Sequence, residues 1–285
     1  MVRIALLLFL TSQAAAHGYI KTFTLDGTDH EGFGNWNPSP SPSAIGWPFT
    51  TPDEGPELDP ASPDMICRRG ATPAANHGTV TAGSTILIHW TSADPVLSPE
   101  GWAHSGPTLT YLAPCHGSCA EVDKSTLRWT KIQETGLVSG PANSEGIWAS
   151  DVLRANGGVI EATVPPDIAP GNYVVRSEII ALHRSHLGEP EFYPQCGNIE
   201  VLGDGHDTLA GRGVRAQELY SRQDEQLYAY SLHEPTLETA WPLPGPKLYA
   251  GQLGWNETAP GLPGQPGPVH TDENCRRRRA ATLAS

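Results

Sequence analysis

Strand-like runs of alternating and β-branched residues recur along this chain, and turns rich in Gly and Pro separate them. The clearest run covers residues 171–183 (GNYVVRSEIIALH) and begins in an Ala-Pro-Gly-Asn turn. Thirty Gly and 27 Pro, with only 17% charged residues, oppose a chain built from helices. The pattern predicts an all-β chain, folded as an antiparallel β-sandwich of the immunoglobulin or fibronectin-III-like kind. The other predicted strands cover residues 79–91, 108–113, 127–133, 159–164 and 199–202.

The stretches between these strands predict long surface loops. Residues 33–63 are rich in Pro and Gly and too long for a simple connection, which favours a functional surface loop. Residues 207–230 have room for one turn of helix. Residues 251–285 are rich in Pro, Gly and Arg and lack the apolar content of a core, so a disordered tail is predicted there. This tail holds a glycosylation sequon at Asn256.

The N-terminus has the organisation of a secretory signal peptide. A positive start at Arg3 is followed by apolar residues 4–10 and by Ala14-Ala15-Ala16, a cleavage site for signal peptidase. Cleavage after Ala16 predicts a secreted, extracellular protein, and the 269 residues that remain are enough for one large domain or two small ones. No later apolar run is long enough to span a bilayer, and the net charge of −13 opposes nucleic acids and anionic membranes as partners.

The same cleavage makes His17 the first residue of the mature chain. An N-terminal histidine offers two neutral nitrogen donors, its α-amine and one ring nitrogen, and such a pair suits copper. The alternative is that cleavage merely leaves a histidine at this position.

Five cysteines in a secreted chain predict two disulfides and one residue left over. Cys115 and Cys119 are four positions apart, and an oxidising compartment favours a disulfide there over a metal pair with His116. Cys67 and Cys196 are far apart in sequence and Cys275 stands alone in the tail, so spacing leaves the pairing open.

Three more residues are candidates for a metal site. His104 precedes a Gly-Pro pair on a constrained turn before a predicted strand, His183 ends the clearest strand, and Tyr193 lies three residues before Cys196. Taken singly, each also fits an ordinary surface or half-buried role.

A series of short motifs occurs in one order along residues 17–249. The motifs are His17-Gly18-Tyr19, Met65-Ile66-Cys67-Arg68-Arg69-Gly70, His104-Ser105-Gly106-Pro107, Tyr111-Leu112-Ala113-Pro114-Cys115 with Cys119, Trp148-Ala149-Ser150-Asp151, Pro170-Gly171-Asn172-Tyr173, Glu178-Ile179-Ile180-Ala181-Leu182-His183, Phe192-Tyr193-Pro194-Gln195-Cys196 and Pro244-Gly245-Pro246. Any one of them is weak, but in this order they resemble the fungal cellulose-active lytic polysaccharide monooxygenases, auxiliary-activity family nine (formerly glycoside hydrolase family sixty-one). The resemblance implies one copper monooxygenase domain over residues 17–250.

The resemblance implies a histidine brace that holds one copper ion per chain. His17 would bind through its amine and a ring nitrogen, His104 would supply the third nitrogen, and Tyr193 would take a long axial position. His183 would orient the oxygen species as a neighbour of the metal. An external electron donor, small molecule or protein, and O2 or H2O2 would then support oxidative cleavage of β-1,4-glucan at C1 or C4.

The resemblance also implies structural and substrate-binding residues. It pairs Cys67 with Cys196 and Cys115 with Cys119. It places Tyr19 and Tyr249 on a flat surface where their rings would stack on the sugars of cellulose or a related β-glucan. The protein is expected to act as a monomer.

Glu191 departs from the family pattern, which usually has glutamine two residues before the axial tyrosine. An amide donates a hydrogen bond to an oxygen species, whereas an ionised carboxylate cannot. We hypothesise that Glu191 either stays protonated beside the metal or weakens turnover at neutral pH. The alternative is that Glu191 turns away to solvent.

Three other functions remain open at this level. One is a non-catalytic copper- or glycan-binding protein on the same sandwich, which the presence of Glu191 motivates. Another is activity on a hemicellulose. The third is an ordinary β-sandwich adhesion domain, because this fold hosts many functions.

Overall fold

The fold consists of two larger β-sheets and one small two-stranded sheet. The computed structural model describes residues 17–34, 41–51, 54–93, 101–102 and 104–250. The first sheet has the strand order β2-β1-β4-β9, with β1 Gly18–Leu25, β2 Thr28–Glu31, β4 Thr85–Ser92 and β9 Val159–Thr163. The second has the order β3-β11-β10-β5-β6, with β3 Gly78–Thr81, β5 Thr108–Pro114, β6 Thr130–Thr135, β10 Gly171–Ala181 and β11 Glu191–Leu202.

The small elements lie between and after these strands. The two-stranded sheet pairs β7 Leu137–Ser139 with β8 Ile147–Trp148. The α-helices are short, α1 Ala149–Ala155 and α2 Glu225–Tyr228. Single turns of 3₁₀ helix occur at Pro63–Met65, Cys119–Glu121, Lys124–Thr126, Ser185–Leu187 and Ala216–Glu218.

One apolar core lies between the two large sheets. Ile20, Phe23 and Ile88 from the first sheet pack in one cluster with Val175 and Ile199 from the second. Because side chains alternate along a strand, the first sheet buries one face and leaves the other accessible. The predicted all-β sandwich is therefore confirmed.

The second sheet is covered on its outer face as well. Nearly all of β10 is buried, because long loops pack a second apolar layer against that face. Trp47, Trp129, Tyr220 and Trp241 belong to this layer. The prediction of a surface loop over residues 33–63 was wrong for residues 41–51. Trp47 in this segment is buried, and its Nε1 donates to Asn198 Oδ1 at 2.6 Å.

Most predicted strands exist, with shifted bounds. The run at 79–91 is divided into β3 and β4 by a turn, and β11 begins well before residue 199. The predicted antiparallel pairing does not hold for every described strand, because β3 runs parallel to β11. The predicted turn of helix within 207–230 corresponds to the short turns at Ala216–Glu218 and α2.

The two disulfides implied by the resemblance are present. Cys67 is bonded to Cys196 and Cys115 to Cys119, with Cα–Cα distances of 5.4 and 5.2 Å. The predictions for the signal peptide at 1–16, for Asn256 and for the tail at 251–285 lie outside the described residues. Within the described ranges, no helix has the length and apolar character needed to cross a membrane.

Candidate metal centre

The candidate metal ligands meet at one end of the sandwich. His17 immediately precedes β1, His183 follows the end of β10, and Glu191 begins β11. β5 starts at the same end, because Thr108 at its start pairs with Ile179 near the end of β10. The fold therefore brings together residues that lie up to 174 positions apart in the sequence, from His17 to Glu191.

The backbone around His17 is held on both sides. The His17 carbonyl accepts a hydrogen bond from the Ala93 amide at 2.7 Å. The carbonyl of the next residue, Gly18, accepts from Arg68 Nη1 at 3.0 Å and from Gln195 Nε2 at 3.3 Å. A Cβ atom on Gly18 would lie 2.5 Å from the Thr91 carbonyl oxygen, so only glycine fits there.

His104 lies on a turn that docks against the end of β10. The Ser105 carbonyl accepts from the Leu182 amide at 3.1 Å, and the Trp102 indole donates to the His104 carbonyl at 2.7 Å. Gly106 permits this docking, because a Cβ there would lie 1.9 Å from the Ile180 carbonyl oxygen. These contacts fix the backbone that carries the imidazole.

The His104 and His183 rings stack on each other, with centroids 4.0 Å apart and planes 10° apart. Burial, and then the charges of His183 and His17, lower the pKa of His104 to about 3. Burial also lowers the pKa of His183, although Glu191 opposes the shift. Both imidazoles are therefore neutral at pH 7, which leaves a nitrogen lone pair available on each.

Glu191 points into the site rather than toward solvent. Its side chain is nearly buried, its Oε2 accepts from the Tyr193 hydroxyl at 2.8 Å, and its Oε1 lies 3.6 Å from His183 Nε2. One potential ligand atom from each of His104, His183 and Glu191 lies within 4.8 Å of the other two. The alternative of a carboxylate turned outward is thus wrong for this arrangement.

Tyr193 is fully buried beneath the histidines. Its ring centroid lies 6.1 Å from that of His17 and 4.6 Å from that of Trp102, which it meets edge to face. The Arg68 guanidinium lies 5.3 Å from the same ring centroid. The phenol is therefore enclosed by aromatic and charged groups and reaches the site through its hydroxyl edge.

The two tyrosines expected to stack on sugars are both buried. Tyr19 is 5% exposed and packs in the apolar core. Tyr249 is 4% exposed, and its hydroxyl donates to Asp207, which pairs with Ile168 just before β10 begins. Because an 11-residue strand spans roughly 35 Å, that is the end of β10 opposite to His183. Neither ring offers a face to a polysaccharide at the metal site.

Sequence reasoning missed three residues that hold this centre: Arg68, Trp102 and Gln195. Arg68 and Gln195 lie inside two of the motifs that carry the family resemblance, and Trp102 lies two positions before His104. Their places in or next to these motifs are the signal in the sequence that could have identified them. A buried arginine in particular is not expected from a sequence pattern.

Comparison with known proteins agrees with this geometry. A family model described as Auxiliary Activity family 9 (formerly GH61) matches residues 17–239. The chain is 40% identical to AA9 family lytic polysaccharide monooxygenase A of Malbranchea cinnamomea over 249 residues, which cover 85% of this chain and 70% of that protein. It is 38% identical to AA9 family lytic polysaccharide monooxygenase I of Botryotinia fuckeliana over 265 residues, or 90% and 93% of the two chains.

A solved structure is similar over the same region. The extended catalytic domain of H. jecorina LPMO9A gives a TM-score of 0.74 at 35% identity and covers 86% of this chain and 96% of that one. The family match begins at His17 and runs through every strand described above. The chain therefore belongs to Auxiliary Activity family 9, the AA9 lytic polysaccharide monooxygenases.

Proposed function

We propose that this protein is a secreted, copper-dependent lytic polysaccharide monooxygenase that cleaves β-1,4-glucan, with cellulose as its substrate. The observation that carries the proposal is the meeting of His17, His104 and Tyr193 at one end of the sandwich. Removal of residues 1–16 would turn the His17 peptide nitrogen into an amine beside its own imidazole.

The donor set fits one copper ion. His17 would supply two nitrogens and His104 a third, and three nitrogen donors suit Cu(II) and tolerate Cu(I). The low pKa of His104 supports this role, because the imidazole needs no deprotonation before it binds metal at pH 7. When bound, copper would supply one-electron redox chemistry with O2 or H2O2, directed at C1 or C4 of a glucosyl unit.

His183 and Glu191 suit a role beside the metal better than a role as its ligands. The nitrogen lone pairs of an imidazole lie in the plane of its ring. Because the His104 and His183 rings are stacked and nearly parallel, their lone pairs do not point at one common ion. His183 Nε2 instead lies near the Glu191 carboxylate, where the pair can hold or pass a proton. Glu191 also accepts the hydrogen bond donated by the Tyr193 hydroxyl, so a lone pair of the phenol oxygen would be available to copper.

The second candidate is a copper- or glycan-binding protein without catalysis. Glu191 favours this candidate, because its carboxylate occupies the position at which the family usually has a hydrogen-bond-donating amide. The substrate surface is also unassigned, since Tyr19 and Tyr249 are buried. A hemicellulose is the alternative substrate that the test below includes.

The test is mass spectrometry of the products formed by the copper-loaded mature protein with ascorbate. Amorphous cellulose, xyloglucan and xylan would be compared, with His17→Ala as the control. Oxidised cello-oligosaccharides that disappear in the control are the expected result. Oxidised products from xyloglucan or xylan but not from cellulose would show that the substrate is a hemicellulose. Copper binding without any oxidised product would favour the binding protein.

A further inference from the structure

Arg68 is a fully buried cation beside Tyr193 and the backbone of Gly18. Its guanidinium donates to three backbone carbonyls: to Gly18 through Nη1 at 3.0 Å, to Gly55 through Nε at 3.1 Å and Nη2 at 2.7 Å, and to Glu54 through Nη2. It also lies over two aromatic rings, 4.8 Å from the centroid of Phe49 and 5.3 Å from that of Tyr193.

The position of Arg68 is fixed by its neighbours in the chain. Cys67 is bonded to Cys196, three residues after Tyr193 on β11. Arg68 itself has a φ of +88°, a left-handed conformation that side chains other than glycine rarely adopt. Such backbone strain persists only where the surroundings impose it, and it is often found at functional sites.

The contacts of Arg68 join the segment around His17 to Tyr193. The Gly18 carbonyl belongs to the residue directly after His17, and the Tyr193 ring lies beside the His17 ring. One planar guanidinium therefore contacts both the segment that would carry the terminal amine and the ring of Tyr193. A lysine, with a single ammonium on a flexible stem, cannot reproduce this fork geometry.

We propose that Arg68 is a positioning residue for the copper site. It clamps the N-terminal segment against Tyr193, and its fixed buried charge favours Cu(I) over Cu(II). The second effect follows because a permanent cation in a poorly screened environment disfavours the more positive state of a nearby ion. This inference rests on the proposed function, since it assumes that copper binds at His17 and His104.

The test compares Arg68→Lys and Arg68→Met with wild type and with Arg69→Met, a substitution of the exposed neighbouring arginine. Copper affinity, the electron paramagnetic resonance spectrum of bound Cu(II) and the reduction potential are measured. Both Arg68 variants should bind copper about tenfold or more weakly and change the spectrum, as the loss of outer contacts to a metal site usually does. Only Arg68→Met should lower the potential, because Arg68→Lys keeps the charge.

Two results would overturn the proposal. If both Arg68 variants keep the spectrum, affinity and potential of wild type while only thermal stability falls, Arg68 is structural. If Arg69→Met gives the same changes, the effect is not specific to Arg68. Should Arg68→Met fail to fold, the copper affinity and spectrum of Arg68→Lys test the clamp. The proposed effect of the charge then requires that the reduction potential of Arg68→Lys equal that of wild type.

The proposed function can fail separately. If wild type binds no copper, hydrogen exchange of the Tyr19 and Ile20 amides in the metal-free mature protein still tests the clamp. Faster exchange in Arg68→Lys than in wild type would support it. Unchanged exchange would contradict it.

Discussion

At the level of single residues, Tyr193 lies between a guanidinium and a carboxyl group. The Arg68 guanidinium lies against its ring, and the Glu191 side chain accepts a hydrogen bond from its hydroxyl. The family pattern identified Glu191 as unusual, because the pattern usually has glutamine two residues before the tyrosine that corresponds to Tyr193. It could not identify Arg68, because the burial of a charged residue depends on the carbonyl groups that surround it in three dimensions.

Replacement of Glu191 tests whether its carboxylate limits turnover. Glu191→Gln should raise the rate of oxidised-product formation at pH 7 by roughly two- to tenfold, because the amide can donate a hydrogen bond where an ionised carboxylate cannot. The measurement is product quantification by chromatography across pH 5 to 8. Glu189→Gln, on the exposed part of the same β10–β11 connection, is the matched control and should leave the profile unchanged. Identical profiles for wild type and Glu191→Gln would refute the hypothesis.

Glu57 provides a pH-dependent prediction away from the histidines. Burial and the nearby Asp64 raise the pKa of its carboxyl, and its buried Oε1 has no hydrogen-bond partner among the described residues. A carboxyl whose pKa is higher in the folded state favours folding below its ordinary pKa, and this contribution is lost as the pH rises through the folded-state value.

Glu57→Gln should therefore stabilise the protein at pH 7 and have little effect at pH 4. We expect an increase in Tm of about 2–4 °C at pH 7 by calorimetry, the size expected for a change of about 1 kcal/mol in a chain of this length. Glu161→Gln, at an exposed position of β9, is the control and should shift Tm equally little at both pH values. A Tm gain that is the same at pH 4 and pH 7 would show that the charge is not its cause.

At the level of elements, the sequence predicts strands well where apolar and β-branched residues alternate. β5, β9 and β10 match the predicted runs closely. Two strands of the first sheet were not predicted. One is β1, although it carries the buried apolar residues Ile20, Phe23 and Leu25, and the other is β2, a short polar edge strand without an apolar alternation. The loop that contains Trp47 was also misjudged, since Pro- and Gly-rich segments usually lie on the surface.

The two disulfides should contribute unequally to stability. The Cys67–Cys196 bond closes a separation of 129 residues, whereas the Cys115–Cys119 bond closes one of four. In the chain-entropy model, the longer loop is worth roughly 5 kcal/mol and the shorter one much less. Denaturant unfolding of the double variants Cys67→Ser/Cys196→Ser and Cys115→Ser/Cys119→Ser measures how much unfolding free energy each disulfide contributes. Equal losses of unfolding free energy would show that chain entropy does not dominate.

The turn that carries His104 depends on Gly106. A Cβ atom at this position would meet the Ile180 carbonyl oxygen at 1.9 Å, so Gly106→Ala must push the turn away from β10. We expect a loss of about 2 kcal/mol or more in unfolding free energy, with weaker metal binding at His104. Gly117→Ala is the control, because a Cβ there meets nothing within 4 Å and its φ is not left-handed. If the two variants unfold alike and bind metal alike, the close approach at Gly106 has no consequence.

At the level of the whole molecule, the covered second sheet explains how a loop-rich chain makes a rigid site. Loops rich in Trp and Tyr pack on its outer face, while the first sheet packs on the inner face. The strand ends at the metal centre are therefore fixed from both sides. The sequence could supply the candidate histidines, but only the pairing of β5, β10 and β11 brings His104, His183 and Glu191 together.

The N-terminus of the proposed mature chain gives the sharpest test at this scale, because one peptide bond decides whether the proposed copper site has its amine ligand. With Ala16 retained, the His17 nitrogen is an amide and not a basic donor, so copper affinity should fall at least about 100-fold relative to the mature chain. His17→Ala, which keeps an amine but loses the ring, should also bind weakly, and calorimetric titration measures all three proteins. Equal affinity with and without Ala16 would mean that the side chains of His104, His183 and Glu191 hold the metal alone, after one ring has turned out of the observed stack.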